Sequence, residues 1–282
     1  MKIEQLIPPI GSFAEIDGAR MHYVDRGTGP AILMIHGLAG TLWNFTYDVV
    51  DRLSDRARVV ALDRPGSGYS TRPRGTSASL PSQAAAIARL IEHLALERPL
   101  VVGHSLGGAL ALALAMDHPH LVRGLALIAP LTQPSSGPPP AFRQIYIRSS
   151  FVRGLVAHTI GIPLAKRTAP QTIAAIFAPE AAPDDFAIRG GAYLGLRPSQ
   201  FYHASEDVIA ATDDMPAIAR RYGEIALPVR VLFGRGDRVL DHRTHGEHLR
   251  EQIAHAELTL TDGGHMLPVT QGARVAQWIG AL

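Results

Sequence analysis

The chain has 282 residues, of which 46% are hydrophobic and 18% are charged, and this composition excludes wholesale disorder. Its 27 Lys and Arg residues nearly balance its 25 Asp and Glu residues, and no basic run points to a nucleic-acid partner. The chain contains no cysteine, which excludes disulfides, thiolate nucleophiles and cysteine-ligated metal or iron–sulfur sites.

The first residues do not match a secretion signal. An acidic residue at Glu4 and the pair Pro8-Pro9 interrupt the apolar core that such a signal requires. No apolar run in the sequence approaches the roughly 20 residues that span a bilayer. We therefore expect a cytoplasmic protein without a membrane span, either a monomer or a homodimer.

The first predicted elements are two antiparallel strands. Residues 12–16 and 20–25 alternate apolar and polar positions on either side of Asp17-Gly18, which is a hairpin turn signal. Residues 31–35 form a continuous apolar run that ends at His36-Gly37, and a run of this length predicts a buried strand.

Strands and helices then alternate along the chain, which favours βαβ units and a parallel sheet. The interval from 131 to 223 has aromatic-bearing helical segments and no convincing strand, so we predict a helical cap there. The core domain would then consist of residues 1–130 and 224–282. Its further predicted elements are helices at 43–53, 80–96, 243–253 and 268–279 and strands at 58–62, 100–104, 124–128, 229–233 and 257–261.

Residues 99–117 predict a strand, a sharp turn and a helix in direct succession. The turn contains Gly103-His-Ser105-Leu-Gly107, which has the Gly-X-Ser-X-Gly pattern of a nucleophile elbow. In such an elbow the serine occupies a strained turn, and glycine two residues before and after it lets strand and helix approach closely. The pattern predicts Ser105 as a nucleophile.

A serine hydroxyl needs a base to remove its proton and a third group to orient that base. On a strand–turn–helix scaffold these follow in the order serine, acid, histidine. Asp237 and His265 each follow a predicted strand, at the sheet edge where ligand sites of α/β proteins form. Asp241 is the alternative acid, and Asp262 is interpreted as a turn residue.

A tetrahedral intermediate also needs donors for its oxyanion. We expect two main-chain amides to supply them. One is that of Leu106, directly after the nucleophile, and the other is that of Leu38, in the loop after the strand at 31–35.

The chain resembles the α/β-hydrolase superfamily over essentially its whole length. The resemblance implies an α/β fold with an eight-stranded, mostly parallel sheet flanked by helices, an inserted helical cap and an acyl-transfer site without a cofactor. Similar epoxide hydrolases and haloalkane dehalogenases carry aspartate where this chain has Ser105. The motifs that carry the resemblance are His36-Gly37, Asp63-Arg-Pro-Gly-Ser-Gly-Tyr-Ser70, Gly103–Gly107, Gly234-Arg-Gly-Asp237 and Gly263-Gly-His265.

The expected activity is hydrolysis of a small-molecule carboxylic ester. Few charges lie among the aromatic residues of 131–223, which favours an apolar substrate. Likeness to meta-cleavage-product C–C hydrolases is partial: Gly234–Arg238 matches, whereas the Leu38–Thr41 loop and Met266 depart from their pattern. C–C or lactone cleavage is therefore the alternative, and a ligand-binding receptor with this fold is a third possibility.

Two further motifs, a group of three histidines and an Asp-Arg pair, could be read either as functional sites or as structural features. His242, His245 and His248 could place two imidazoles on one helix face, as in a metal site. No His-Glu-X-X-His signature accompanies them, so we interpret them as a solvated face and expect no metal. Asp63-Arg64 is interpreted as a structural turn at a strand end.

Overall fold

The fold is built on one eight-stranded sheet. A computed structural model describes residues 3–73 and 75–282. The strands lie in the order β1-β2-β4-β3-β5-β6-β7-β8; β2 pairs antiparallel with β1 and β4, and the other neighbours are parallel. The predicted α/β class and mostly parallel sheet are confirmed. The strands are β1 Ser12–Ile16, β2 Ala19–Arg26, β3 Ala31–Ile35, β4 Arg58–Leu62, β5 Leu100–His104, β6 Gly124–Ile128, β7 Val229–Gly234 and β8 Glu257–Thr261.

Helices connect the strands and cover both faces of the sheet. Over the described residues, none combines the length and apolar character that crossing a bilayer requires. The α-helices are α1 Ile3–Leu6, α2 Trp43–Thr46, α3 Val49–Leu53, α4 Leu80–His93, α5 Leu106–Asp117, α6 Ser150–His158, α7 Gly161–Phe177, α8 Phe186–Arg189, α9 Pro198–Ala219, α10 His248–Gln252, α11 Leu267–Thr270 and α12 Gly272–Gly280. Short 3-10 helices occupy Pro119–Leu121, Pro140–Ile145, Ala192–Leu196 and Tyr222–Glu224, and a π-helix occupies Arg243–Glu247.

The helices differ from the predicted ones mainly where a single residue leaves helical geometry. The helix expected at 43–53 is two helices, because Asp48 has φ −154°. The helix expected at 268–279 is likewise divided at Gln271, where φ is −134°. Helix α4 ends before residue 96, since Ala95 adopts φ 48°. At its start, Ser79 caps the N–H of Ser82.

The core consists of two apolar layers, one on each face of the sheet. Strands β3, β5 and β6 are buried along their full length, as their continuous apolar runs predict. One layer packs against α4 and α5, and the other packs against α3 and α12. The sheet is therefore closed to water on both sides through its centre, and its strand ends are where polar groups can gather.

Residues 131–223 follow β6 and precede β7, and all of them are described. Their regular elements are helical throughout, with no strand. Helix α9 packs on the core through Ala211, Met215 and Ile218. The segment is therefore an insertion between two adjacent parallel strands.

Buried charges fasten α9 to the loop after β4. Asp207 of α9 accepts hydrogen bonds from Arg64 at 2.8 Å and from Arg72 at 2.7 Å, and all three side chains are buried. Burial acts to raise the pKa of Asp207, but the two guanidinium groups hold it below its usual value. Arg72 also pairs with Glu206, which binds Arg153 of α6. The inserted segment is thus joined to the core through a charged network.

We predict that Asp207→Ala destabilises the fold by about 3–5 kcal/mol, because it leaves two buried arginines without their carboxylate. Asp213→Ala is the matched control on the same helix. It removes an exposed pair with Arg148 and is expected to leave stability little changed. Urea unfolding followed by circular dichroism measures both, and equal effects would contradict the structural role of the buried network.

Candidate active site

Ser105 lies at the sharp turn between β5 and α5. Its backbone adopts φ 54° and ψ −119°, and residues other than glycine rarely adopt a positive φ. Its N–H donates to the carbonyl of Ile128 at 3.0 Å, and its own carbonyl accepts from the N–H of Gly108 and of Leu131 at 2.8 and 2.9 Å. The end of β6 therefore holds the strained turn in place.

The two motif glycines are required by close backbone contacts. A Cβ on Gly103 would collide with the main-chain oxygen of Gly107, and a Cβ on Gly107 would collide with that of Ile35. A Cβ on the following Gly108 would lie 2.4 Å from Pro130 Cβ, so a side chain is excluded there as well. The start of α5 thus lies directly against the ends of β3 and β5, which is the close approach that the sequence pattern predicts.

Asp237 and His265 lie at neighbouring strand ends and are hydrogen-bonded. Asp237 Oδ2 is 2.7 Å from His265 Nδ1, and the two side chains are 0% and 5% exposed. The other oxygen, Oδ1, accepts from the N–H groups of Val239 and Leu240 at 2.8 and 2.9 Å. Because an ionised carboxylate can only accept, Nδ1 carries the proton and Nε2 has a free lone pair. This is the arrangement that a general base requires.

The other two candidate acids lie elsewhere. Asp241 accepts from the N–H and the hydroxyl of Thr244 at 3.1 and 3.0 Å, and it does not hydrogen-bond to His265 among the contacts of the described residues. Asp262 is exposed in the bend after β8, in agreement with its interpretation as a turn residue.

Ser105 and His265 line one cavity of about 220 Å³, the larger of the two cavities that Ser105 lines. The loop after β3 forms its floor beside the serine, where a Cβ on Gly37 would lie 2.9 Å from Ser105 Cβ. Residues of the inserted segment form its roof, and no Asp, Glu, Lys or Arg lines it among the described residues. The roof includes Phe142, Ile145, Val156, Leu164, Ala165, Ala169, Ile173, Ile176, Phe186 and Phe201.

A smaller cavity of about 50 Å³ lies on another side of Ser105. Ser105, Leu38 and Phe142 line both cavities, so the serine stands between them. The rest of the smaller cavity is mainly apolar and includes Leu131, Val208, Ala211, Met215, Val239 and Leu240. A ligand reaching Ser105 therefore has one roomy and one tight space available.

Hydrogen bonds to the carbonyl oxygen of Gly37 fix the orientation of the peptide bond between Gly37 and Leu38. The Gly37 carbonyl accepts from His36 Nδ1 at 2.8 Å, from Arg64 Nη2 at 3.1 Å and from the N–H of Gly40 at 3.2 Å. The carbonyl and the Leu38 N–H belong to one planar unit and point in opposite directions. Three hydrogen bonds to the oxygen therefore also fix the direction of the Leu38 N–H.

The other predicted donor, the N–H of Leu106, has no partner within its own helix, for a different reason. Leu106 is the first residue of α5, and the first N–H groups of a helix have no partner within the helix. Its N–H directly follows Ser105. Leu38 and Leu106 thus both lie beside the serine with N–H groups that their own turn or helix does not use.

Arg64 and His36 form a unit that the sequence interpretation missed. His36 Nε2 accepts from the N–H of Arg64 at 3.0 Å, and Arg64 Nε donates to the His36 carbonyl at 3.1 Å. Burial and the nearby Arg64 charge lower the pKa of His36 to about 3, so its imidazole is neutral. Asp63, by contrast, has the structural role predicted for it, because it accepts from the N–H groups of Leu42 and Tyr69.

His104, the first of the two variable positions of the elbow motif, supports His265. Its Nε2 donates to the His265 carbonyl at 3.0 Å, and the two rings are 5.0 Å apart. Burial and the neighbouring His265 lower the pKa of His104 to about 3, which keeps the ring neutral. The motif alone could not have indicated this contact, because the partner lies 161 residues away.

The histidines at 242–248 do not form a solvated face, and that interpretation is wrong for His245. This residue is buried, and its Nδ1 accepts from the N–H groups of Thr132 and Gln133 at 3.1 and 3.2 Å. His242 is half-buried and His248 is exposed. The π-helix that contains His245 points it toward the residues after β6 instead of toward solvent. Among the described residues, no group of three or more His, Asp or Glu side chains could hold a metal ion.

The comparison with known families agrees with this fold. A family model described as alpha/beta hydrolase fold matches residues 30–271. The chain belongs to this family. The likeness implied by the sequence motifs is therefore confirmed.

Several curated proteins are similar to this alpha/beta hydrolase over part of its length. Haloalkane dehalogenase 2 of Mycobacterium tuberculosis is 40% identical over 124 residues, which are 44% of this chain and 43% of that protein. A 2-hydroxy-6-oxo-2,4-heptadienoate hydrolase of Pseudomonas putida is 36% identical over 121 residues, 42% of this chain and 44% of that protein. A dihydrolipoyllysine-residue acetyltransferase component of an acetoin cleaving system, from Cupriavidus necator, is 42% identical over 120 residues.

These matches are partial. The third one covers 42% of this chain and 32% of the relative, so the chain spans less than half the length of these curated proteins. Among solved structures, an esterase from Exiguobacterium antarcticum superposes with a TM-score of 0.76 at 21% identity, covering 96% of this chain and 98% of that one. At this identity the superposition shows a shared fold.

We predict that His245 makes the stability of this alpha/beta hydrolase depend on pH. Burial lowers the pKa of His245 to about 4, so the unfolded chain takes up a proton between about pH 6.5 and 4 that the folded chain does not. Stability should therefore fall as the pH is lowered through this range. His245→Asn retains an acceptor for the two N–H groups. Unfolding of this variant should take up about one proton fewer between these pH values, so its free energy of unfolding should change less steeply with pH.

The control is His248→Asn, which changes an exposed imidazole in the following helix. Urea unfolding at a series of pH values gives the slope for each variant. An unchanged slope in His245→Asn would contradict the prediction.

Proposed function

We propose that this alpha/beta hydrolase cleaves carboxylic esters through an acyl-enzyme intermediate. Ser105 would be the nucleophile, His265 the general base and Asp237 the group that orients His265. The observation that carries the proposal is the 2.7 Å contact of Asp237 with His265 Nδ1, with Ser105 on the wall of the same cavity. The acid and base are thus paired and the nucleophile is held in a strained turn beside them.

The proposed reaction assigns one role to each of these residues. His265 Nε2 accepts the proton of the Ser105 hydroxyl as the serine oxygen attacks the ester carbonyl. Asp237 stabilises the imidazolium, and the N–H groups of Leu38 and Leu106 donate to the oxyanion. The imidazolium then protonates the leaving alcohol. In the second half of the reaction, His265 activates a water molecule that releases the acid from Ser105.

The cavities favour a neutral, largely apolar small-molecule ester. We propose that residues 131–223 act as the cap over the core domain of residues 1–130 and 224–282. A charged group buried in the larger cavity would have no counterion there, because its described lining has no charged side chain. The two spaces beside Ser105 suit an ester with one bulky and one small substituent. No cofactor takes part in this reaction scheme.

A second candidate is hydrolysis of a carbon–carbon bond in a dienoate. The 36% identity with the Pseudomonas putida hydrolase favours it, and the same serine, acid and base would serve. The departures at Leu38–Thr41 and Met266 favour the ester. Displacement of halide from an alkyl carbon ordinarily uses a carboxylate nucleophile, so Ser105 argues against the activity named for the mycobacterial relative.

We predict that Ser105→Ala lowers kcat for p-nitrophenyl esters by about 10⁴- to 10⁶-fold and abolishes labelling by a fluorophosphonate. Ser67→Ala is the matched control, since Ser67 lines the same cavity and is also buried. Its labelling should persist. Mass spectrometry of the labelled peptide identifies the modified serine, and ester turnover that survives in purified Ser105→Ala would refute the proposal.

The reaction class is tested by comparing p-nitrophenyl esters, a lactone, a ring-fission dienoate and a haloalkane as substrates. We expect the largest kcat/KM for an uncharged apolar ester. A preference for the dienoate by orders of magnitude would replace ester hydrolysis with the second candidate. Absence of both turnover and probe labelling would instead favour a ligand-binding role for the fold.

We predict that Arg64→Lys lowers kcat by about 10- to 100-fold with little change in KM. Lysine retains the charge beside Asp207 but lacks the planar fork that binds the Gly37 and His36 carbonyls. The Leu38 N–H would lose its fixed direction, and a single oxyanion donor is worth about 10² to 10³ in kcat.

The control for this variant is Arg58→Lys, which alters a partly exposed pair with Asp25 at the start of β4. Thermal melting establishes that both variants fold. An increase in KM with unchanged kcat would indicate that Arg64 acts in substrate binding and not on the oxyanion donor.

A further inference from the structure

Helices α6 and α7 expose large apolar side chains to solvent. Phe151 and Leu155 of α6 are 80% and 56% exposed, and Ile160 and Leu164, at the start of α7, are 64% and 46% exposed. Each pair is four residues apart, so its members lie on the same side of their helix. Single exposed apolar residues are common on proteins, but four on two adjoining helices form a surface that needs an explanation.

The charged side chains of α6, α7 and the segment before them are all basic. Residues 141–177 contain five Arg or Lys residues and no Asp or Glu. Arg153 is buried against Glu206, and Arg148 pairs with Asp213. The remaining three, Arg143, Lys166 and Arg167, are exposed and make no ion pair with a described carboxylate.

These cations adjoin the apolar side chains on α7. Arg167 lies three residues after Leu164, which lies four residues after Ile160, so the three follow one side of the helix. Lys166, also exposed, precedes Arg167 and projects from the flank of α7, about 100° around the helix axis from Arg167. The surface therefore combines an apolar stripe with free positive charge at its end.

We propose that the α6–α7 face, consisting of Phe151, Leu155, Ile160, Leu164, Lys166 and Arg167, docks on an anionic lipid bilayer. An apolar helix side bordered by basic residues binds at the headgroup region, where the side chains enter the acyl boundary and the cations meet anionic headgroups. Binding is interfacial, in the plane of the membrane, and involves no spanning helix.

Charge complementarity favours a lipid surface over a second copy of the chain. A two-fold dimer would bring the α6–α7 face of one copy against that of the other. Lys166 and Arg167 of both copies would then face each other without a nearby carboxylate from residues 141–177. An anionic bilayer covers the same apolar side chains and neutralises the same cations.

The docked face is continuous with the larger cavity. Leu164 belongs to the α6–α7 face and also lines that cavity, and Ala165, Ala169 and Ile173 of the same helix line its roof. Docking would therefore place the cavity rim at the lipid surface, where an apolar ligand partitions. The docking itself does not depend on the proposed hydrolase activity.

The test is co-sedimentation of the full chain with vesicles of phosphatidylcholine alone and of phosphatidylcholine mixed with phosphatidylglycerol. We expect binding to the mixed vesicles at low salt, at least about tenfold weaker binding to the neutral vesicles, and weakening as salt is added. Phe151→Ser/Leu155→Ser and Lys166→Glu/Arg167→Glu should each reduce binding to the mixed vesicles by about tenfold or more.

Two control variants match these changes elsewhere on the surface. Arg243→Glu/Arg250→Glu makes the same change in net charge on exposed core helices, and Ile188→Ser removes an apolar side chain that is 45% exposed. Both should bind as the unaltered chain does. Circular dichroism melting establishes that every variant folds, so the readout requires no enzyme activity.

Three outcomes would overturn the proposal. These are no binding to the mixed vesicles, equal binding to both kinds of vesicle, and binding that the controls reduce as much as the α6–α7 variants do. A dimer detected by light scattering and dissociated by Phe151→Ser/Leu155→Ser would assign the face to a second copy of the chain instead. A failure of Ser105 labelling would leave this result unaffected.

Discussion

The structure depends on the close approach of α5 to the ends of β3 and β5. No side chain fits at Gly103 or Gly107, since each would collide with main-chain oxygen. This contact forces Ser105 into a left-handed conformation and starts α5 immediately after it. The same contact brings the Gly37 loop against the serine side chain. One steric constraint therefore places the candidate nucleophile and both candidate oxyanion donors together.

Electrostatics then make the loop beside the serine rigid. Arg64 donates to the Gly37 and His36 carbonyls while its charge is balanced by Asp207 of α9. A buried ion pair contributes little net stability, because desolvation offsets much of the attraction. Its effect here is positional: the pair ties the inserted segment to the peptide that carries the Leu38 N–H. Any change in how α9 sits on the core must therefore involve the loop beside Ser105.

The sequence predicts the sheet well because the pattern of apolar residues is local. The ends of β3, β4, β5, β6 and β8 match the predicted strands, and Asp237 and His265 are brought together because both follow parallel neighbours. Contacts set by distant residues could not be predicted in this way. Arg64 meets Asp207 across 143 positions, and His245 meets Thr132 across 113. Each of these polar side chains has an ordinary surface interpretation until the fold buries it.

The larger cavity and the exposed apolar surface both depend on α7. This helix carries apolar residues on the side that roofs the larger cavity and on the side that faces outward. A helix of a water-soluble domain ordinarily buries one apolar side and presents a polar one to water. Leu164 stands at the edge between these two sides, since it lines the cavity and is also 46% exposed, and Ile160 before it is 64% exposed. The unpaired basic residues of 141–177 favour an anionic bilayer as the surface that covers these apolar side chains. Helix α7 would then lie between the larger cavity and that bilayer.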